Sequence, residues 1–312
     1  MSNKVKISRI QTLPYLFINA CQDNDLVKVN SCINLGVEIN TVSEDGLWSG
    51  LTIAAKKNYI KLLDILLTHP NIDVNLATSA VVVFFEDWPQ VSGKRTPLMI
   101  ACQNGNHEIV DKFLKIPNIN INFANDFTAL HYAAAYSGKC TEALGRVEGL
   151  DWNIKGQFST TPLYCALKTG CYRSLKVILS KTNIDFNIKR GNCFSVAERA
   201  VITDKGSHIE CLKMMLKVEA IDWNKKFTNG DTPLRWCVQN GKMDKFKLLI
   251  ECPNVNLNLK DSSGDTVAMW ALKTKRLEFV KILATNSRLD ASVTDGAGET
   301  LVKVARLVPY II

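Results

Sequence analysis

No stretch of the 312 residues approaches the roughly 18–20 consecutive apolar residues needed to cross a bilayer, so no membrane insertion is expected. The amino-terminal MSNKVKISRIQTLPYLFINAC is basic but carries only a short apolar patch, broken by Pro14 and Asn19, and makes a poor signal peptide. Histidine is scarce: His69, His107, His131 and His208 are too scattered to gather around zinc. The ten cysteines include no Cys-x-x-Cys pair, which removes the usual metal and redox patterns and leaves reduced thiols of a cytoplasmic or nuclear protein as the expectation. Phosphate-cradling Gly-x-x-x-x-Gly-Lys-Ser/Thr, the Gly-x-Ser-x-Gly elbow, His-Glu-x-x-His and Asp-rich calcium loops are all missing. Neither a cofactor nor catalysis is expected.

What is present is an ordinary globular composition, 46% apolar and 22% charged. The net charge of +8 favours acidic partners modestly, but the basic residues are scattered rather than gathered into an arm, so nucleic acid is not the expected partner.

Aligning the chain with itself reveals a repeat. KRTPLMIACQNGNHEIV at 94–110 and GDTPLRWCVQNGKMDKF at 230–246 share Thr-Pro-Leu, a small residue and Asn-Gly. The same frame holds STTPLYCALKTG at 159–170 and DFTALHYAAAYSG at 126–138. Taking the threonine slot as marker places it at Tyr15, Ser49, Thr96, Thr128, Thr161, Ser195, Thr232, Thr266 and Thr300. Five residues after each marker stands a small residue, Ala20, Ala54, Ala101, Ala133, Ala166, Ala200, Cys237, Ala271 and Ala305. An asparagine recurs near the end of the units, at Asn40, Asn75, Asn122, Asn153, Asn187, Asn224 and Asn258.

The columns have physical reasons. Ser and Thr cap a helix, and Pro is preset for its first turn. A small residue lets neighbouring helices approach. Asn24, Asn58, Gly105, Gly170 and Gly241 tolerate the left-handed turn that ends a helix. Apolar pairs such as Leu63/Leu66, Val110/Phe113, Leu175/Ile178 and Phe246/Leu249 give a second helix one buried stripe. Units of this kind bury their apolar faces only by stacking.

This pattern resembles the ankyrin repeat, with Thr-Pro-Leu-Met-Ile-Ala at 96–101 and Thr-Ala-Leu-His-Tyr-Ala at 128–133 as its best copies. The resemblance implies an all-α fold: one solenoid over 1–312 of stacked helix–turn–helix units with β-turn fingers, in about eight full repeats and a C-terminal half repeat. Repeats are expected to start near 13, 47, 94, 126, 159, 193, 230, 264 and 298.

Three places break the period. Residues 76–94 elongate one finger, and VVVFF followed by Glu86-Asp87-Trp88-Pro89 reads either as a hairpin offering Phe85 or Trp88 to a partner or as an elaborated finger folded back on its neighbours. Residues 202–208, ITDKGSH, read as a polar loop without a role. The ninth unit has one helix and then Pro309-Tyr310-Ile311-Ile312, an apolar end for the tail, a partner or further chain to cover.

In proteins of this resemblance, partners meet the finger tips and the concave face of the first helices. By position that surface comprises Trp48, Lys56, Lys57, Arg95, Phe127, Tyr136, Lys168 and Phe194, with Phe127 and Phe194 open to the other reading, as core beneath neighbouring fingers. The expected function is a monomeric scaffold or adaptor that holds a protein or peptide, acidic and containing aromatic residues. Two other classes stay open: a sensor of a nucleotide-like or other anionic ligand, and the substrate-binding part of a larger enzyme such as a ubiquitin ligase.

Overall fold

The computed structural model describes residues 12–82, 91–188, 195–227 and 229–307, which fall into two compact units, 1–157 and 158–312. The first unit holds helices α1 (Leu13–Gln22), α2 (Leu26–Asn34), α3 (Gly50–Lys57), α4 (Ile60–Leu67), α5 (Pro97–Asn104), α6 (His107–Phe113), α7 (Ala129–Tyr136) and α8 (Gly138–Leu144). Its odd-numbered helices pack in sequence as one layer, α1 on α3, α3 on α5 and α5 on α7, and the even-numbered ones form a second layer in the same order. The second unit repeats the scheme. It contains α9 (Pro162–Thr169), α10 (Tyr172–Leu179), α11 (Val196–Ile202), α12 (His208–Met215), α13 (Pro233–Gln239), α14 (Met243–Glu251), α15 (Val267–Lys273), α16 (Leu277–Ala284) and α17 (Leu301–Leu307). Here α9, α11, α13, α15 and α17 pack in turn, as do α10, α12 and α14.

These helices are too short to be stable alone and hold through burial and capping. Ser49, Thr96, Thr161, Ser195, Thr232 and Thr266 each accept the backbone N–H three residues on. At Thr128 the reciprocal partner is His131, whose Nδ1 lies 3.1 Å from the Thr128 backbone N. The first repeat departs from the marker column: Thr12 occupies the N-cap position of α1 without a side-chain capping bond, Pro14 sits in the first turn, and Tyr15 lies within the helix. Asn24, Asn58, Gly105, Gly170 and Gly241 all have positive φ, as the turn requires. In the fourth repeat Ser137 instead ends α7 with extended backbone and caps α8 directly.

The small-residue column is buried from Ala20 to Ala271, and Phe113, Phe246 and Phe279 fill the space between second-layer helices. Phe246 and Phe279 meet edge to face at 4.9 Å. The asparagines stitch repeat to repeat. Asn40 Nδ2 donates to the Asn71 carbonyl at 2.8 Å and its Oδ1 accepts from Asp73 N at 2.8 Å. Asn75, Asn224 and Asn258 make the same pair of bonds to the following loop.

The elongated finger is an antiparallel hairpin of β1 (Thr78–Val82) and β2 (Val91–Arg95), with Thr78 opposite Arg95 and Val82 opposite Val91. Phe85 and Trp88 lie outside the described residues, as do Phe194 and the last residues from 308. The 202–208 segment does more than the loop expected of it. Ser207 N donates to Gly170 O, and Gly206 lies so close to residues 169–170 that a Cβ there would sit 2.5 Å from the Thr169 carbonyl oxygen. Its Asp204 joins the Val201 and Thr203 carbonyls around Lys245 Nζ at 2.6–2.7 Å. Lys245 is 2% exposed, and burial pulls its pKa down against the pull of Asp204.

Candidate partner-binding site

Each repeat places one residue just before the helix cap, at the base of a finger, and another eight positions on, in the last turn of the first-layer helix. In three repeats the fold brings these two together. In the second repeat Lys56 Nζ sits 4.2 Å from the centre of the Trp48 ring, a cation–π contact. In the third, Arg95 Nη1 donates to Gln103 Oε1. In the eighth, Lys273 Nζ lies 2.7 Å from Asp265 Oδ1 and 2.9 Å from Asp295 Oδ2 of the next finger.

In the first unit this row is cationic and aromatic. Lys56 and Lys57 are exposed in the last turn of α3, where the helix dipole also favours positive charge. Trp48 is half-buried, and Tyr136, at the end of α7, is 40% exposed. Arg95 is only 9% exposed, and burial lowers its pKa, opposed by the charge that Tyr132 and Tyr136 would carry when ionised. Among the described residues no carboxylate pairs with Lys56, Lys57, Lys94 or Arg95. The nearby Asp45 is occupied by its own loop, accepting from Ser43 Oγ at 2.5 Å and Leu47 N at 3.0 Å, which lowers its pKa.

Two of the expected contact residues turn inward. Phe127 is 2% exposed: its ring meets His131 and Tyr132 edge-on at 5.3 and 6.3 Å, and Gly156 of the next finger lies against it, so that a Cβ there would come within 2.7 Å of the ring. It packs the finger rather than presenting it. Lys168, in the second unit, is 6% exposed. Trp48, Lys56, Arg95 and Tyr136 remain on adjoining repeats of the first unit: Lys56 and Tyr136 on α3 and α7, Trp48 and Arg95 just before α3 and α5, and these first-layer helices pack in sequence.

The second unit carries opposite charge in the same slots. Its fingers close by backbone bonds from Phe227 N to Asp231 O, Asp261 N to Asp265 O and Asp295 N to Glu299 O. The Asp261 and Asp295 side chains brace their turns by accepting from Ser263 N and Ala297 N. Arg235 binds Asp231, at 3.0 Å, and Asp261, and lies over the Trp270 ring at 5.2 Å. Lys303 pairs with Glu299 at 2.6 Å. Backbone donation from Glu299, with Lys273 beside it, holds Asp295 down at about 2. The sequence pointed to Trp48, Lys56 and Arg95 but not to the contact between a pre-cap residue and the one eight positions on; the constant spacing was the available signal.

A family model of ankyrin repeats matches residues 81–156, 98–190 and 199–295. The chain belongs to the ankyrin repeat family. The ankyrin repeat domain of Bcl-3, titled a unique member of the IkappaB protein family, is similar in fold, with a TM-score of 0.56 at 20% identity over 68% of this chain and 94% of that one. No curated protein matches the chain. Within this chain the slots before the caps vary while caps and small residues recur. No described helix is long and apolar enough to cross a membrane, and among the described residues no three His, Cys, Asp or Glu side chains gather as metal ligands. The nine described cysteines are free; burial pushes the Cys21, Cys211 and Cys237 thiols up to about 12, which makes them packing groups rather than nucleophiles.

Proposed function

We propose that this ankyrin repeat chain is a binding module, not a catalyst, and that it grips a polypeptide partner through Trp48, Lys56, Lys57, Arg95 and Tyr136 of its first unit. The observation that carries the reading is the run of cations there that no described carboxylate neutralises, set among accessible aromatic rings. Trp, Tyr and Arg supply most of the energy at protein interfaces, and unpaired cations steer acidic partners. The partner is therefore an acidic polypeptide with aromatic residues. Free, buried thiols fit a reducing cytoplasmic or nuclear setting.

The test is affinity capture from cell extract with the intact chain and with a Trp48→Ala/Arg95→Ala/Tyr136→Ala variant whose fold is checked by circular dichroism. The proposal expects the captured proteins to be lost from the variant. Equal recovery by a folded variant would sink it. Raising the salt should weaken capture gradually rather than abolish it, because the aromatic contacts persist when charges are screened.

A further inference from the structure

We propose that Arg95 is a receptor for one carboxylate side chain of the partner polypeptide, which completes an ion pair that the free protein leaves open. This rests on the binding function proposed above and names the group on the partner that it recognises.

Charges taken out of water are ordinarily paired, since an uncompensated one is costly. Arg95 is a buried guanidinium with a single hydrogen-bond partner, the neutral Gln103 carbonyl, which occupies Nη1. Its Nε is enclosed and has no aligned acceptor, as is also true of Arg235 Nε, but unlike Arg235 it has no described carboxylate within ion-pair distance. The unused side of the group is thus the Nε–Nη2 edge, two parallel donors whose spacing matches the two oxygens of a carboxylate. Arg95 immediately precedes α5, which packs on α7, the helix that carries Tyr136. Tyr136 is itself exposed, so the surroundings of Arg95 reach the surface.

Arg235, in the second unit, shows what such an arginine takes when it is supplied from within. It stands in the first turn of α13, three residues after the cap Thr232, and it binds the carboxylates of Asp231 and Asp261. Arg95 has the donors and lacks the acids. Because Nε is enclosed, engagement requires the side chain to rotate outward, a change of the kind common at interfaces. The exposed Lys94, next in sequence, adds positive charge for the approach.

The experiment selects displayed random peptides against the full chain and measures their affinity by fluorescence polarisation for wild type, Arg95→Gln and Arg95→Lys. The expected result is peptides with one fixed Asp or Glu whose affinity falls at least about tenfold on Arg95→Gln and on Arg95→Lys, since lysine keeps the charge but lacks the fork. Changing that Asp or Glu to its amide should weaken wild type equally and the Arg95→Gln variant no further. The thermal midpoint of Arg95→Gln should equal or exceed that of wild type, because the open charge does not support the free fold; a purely structural arginine would give a loss. A lowered midpoint, peptides without a fixed acid, or equal affinity for Arg95→Gln overturns the inference. Non-acidic peptides that still need Trp48 and Tyr136 overturn it while leaving the binding function standing, whereas failure to select any peptide contradicts both.

Discussion

In the first unit the residue before the helix cap and the residue eight positions on meet as Trp48 with Lys56 and Arg95 with Gln103; in the second unit the same slots meet as Asp265 with Lys273. The scaffold is the same on both sides: hydroxyl caps, alanine at the close approach, and asparagines that bond to the next loop. What differs is where the charge is satisfied. Arg235 and Lys273 spend their donors on carboxylates of their own or the next finger, and those carboxylates also brace the turns. Among the described residues, Lys56, Lys57, Lys94 and Arg95 of the first unit have no such partner, although Lys28, Lys112 and Arg146 elsewhere in that unit do. One repeat architecture thus makes a self-satisfied row in one region and a row with unmet demand in the other, which is the physical difference between a supporting surface and a recognising one.

The largest test of that contrast is Arg235→Ala. It strips the cation from Asp261, whose side chain is 2% exposed, and from Asp231, so a loss on the order of 3–5 kcal/mol is expected in urea unfolding followed by hydrogen exchange over 158–307. The corresponding change at Arg95 should cost nothing. If the two arginines behave alike, the contrast collapses.

Removing one cap from each unit, Thr96→Ala and Thr232→Ala, should cost about 1 kcal/mol in either case by the same denaturation assay. Equal losses locate the difference in charge and not in the helices.

Acid should act unevenly. Asp295 has its pKa lowered from 3.8 to about 2, so its contribution is complete above pH 4 and disappears as pH falls through about 2. Hydrogen exchange at residues 295–299 should quicken across that window, and Lys273→Met should move the change to higher pH by removing one cause of the depression. The smallest effect is expected from Lys56→Ala. An exposed cation over Trp48 contributes about 0.5 kcal/mol to the fold, so the thermal midpoint should barely move while partner affinity falls.

Much of the fold was legible in the sequence because its determinants are local. Thr96-Pro97-Leu98 states a cap and a first turn, Gly105 states a left-handed stop, and the β-branched Val81-Val82 falls in a strand. The site was legible only in part. Phe127 carries no local mark to show whether it points outward or under the next finger; Gly156, far along the chain, decides that. Lys168 looks like any solvated lysine until its burial is known. Segment 202–208 looked idle because its partners, Gly170 and Lys245, are each more than thirty residues away. The pairing of acids with Arg235 and its absence at Arg95 likewise depend on which fingers become neighbours.

The most direct test of the central claim is hydrogen–deuterium exchange of the full chain with and without the tightest peptide from the display selection. Protection confined to 48–57, 94–104 and 131–137 is what the unpaired row of the first unit predicts. Protection appearing instead over the acidic fingers at 231–235, 261–273 and 295–303, with the first unit unchanged, would contradict it.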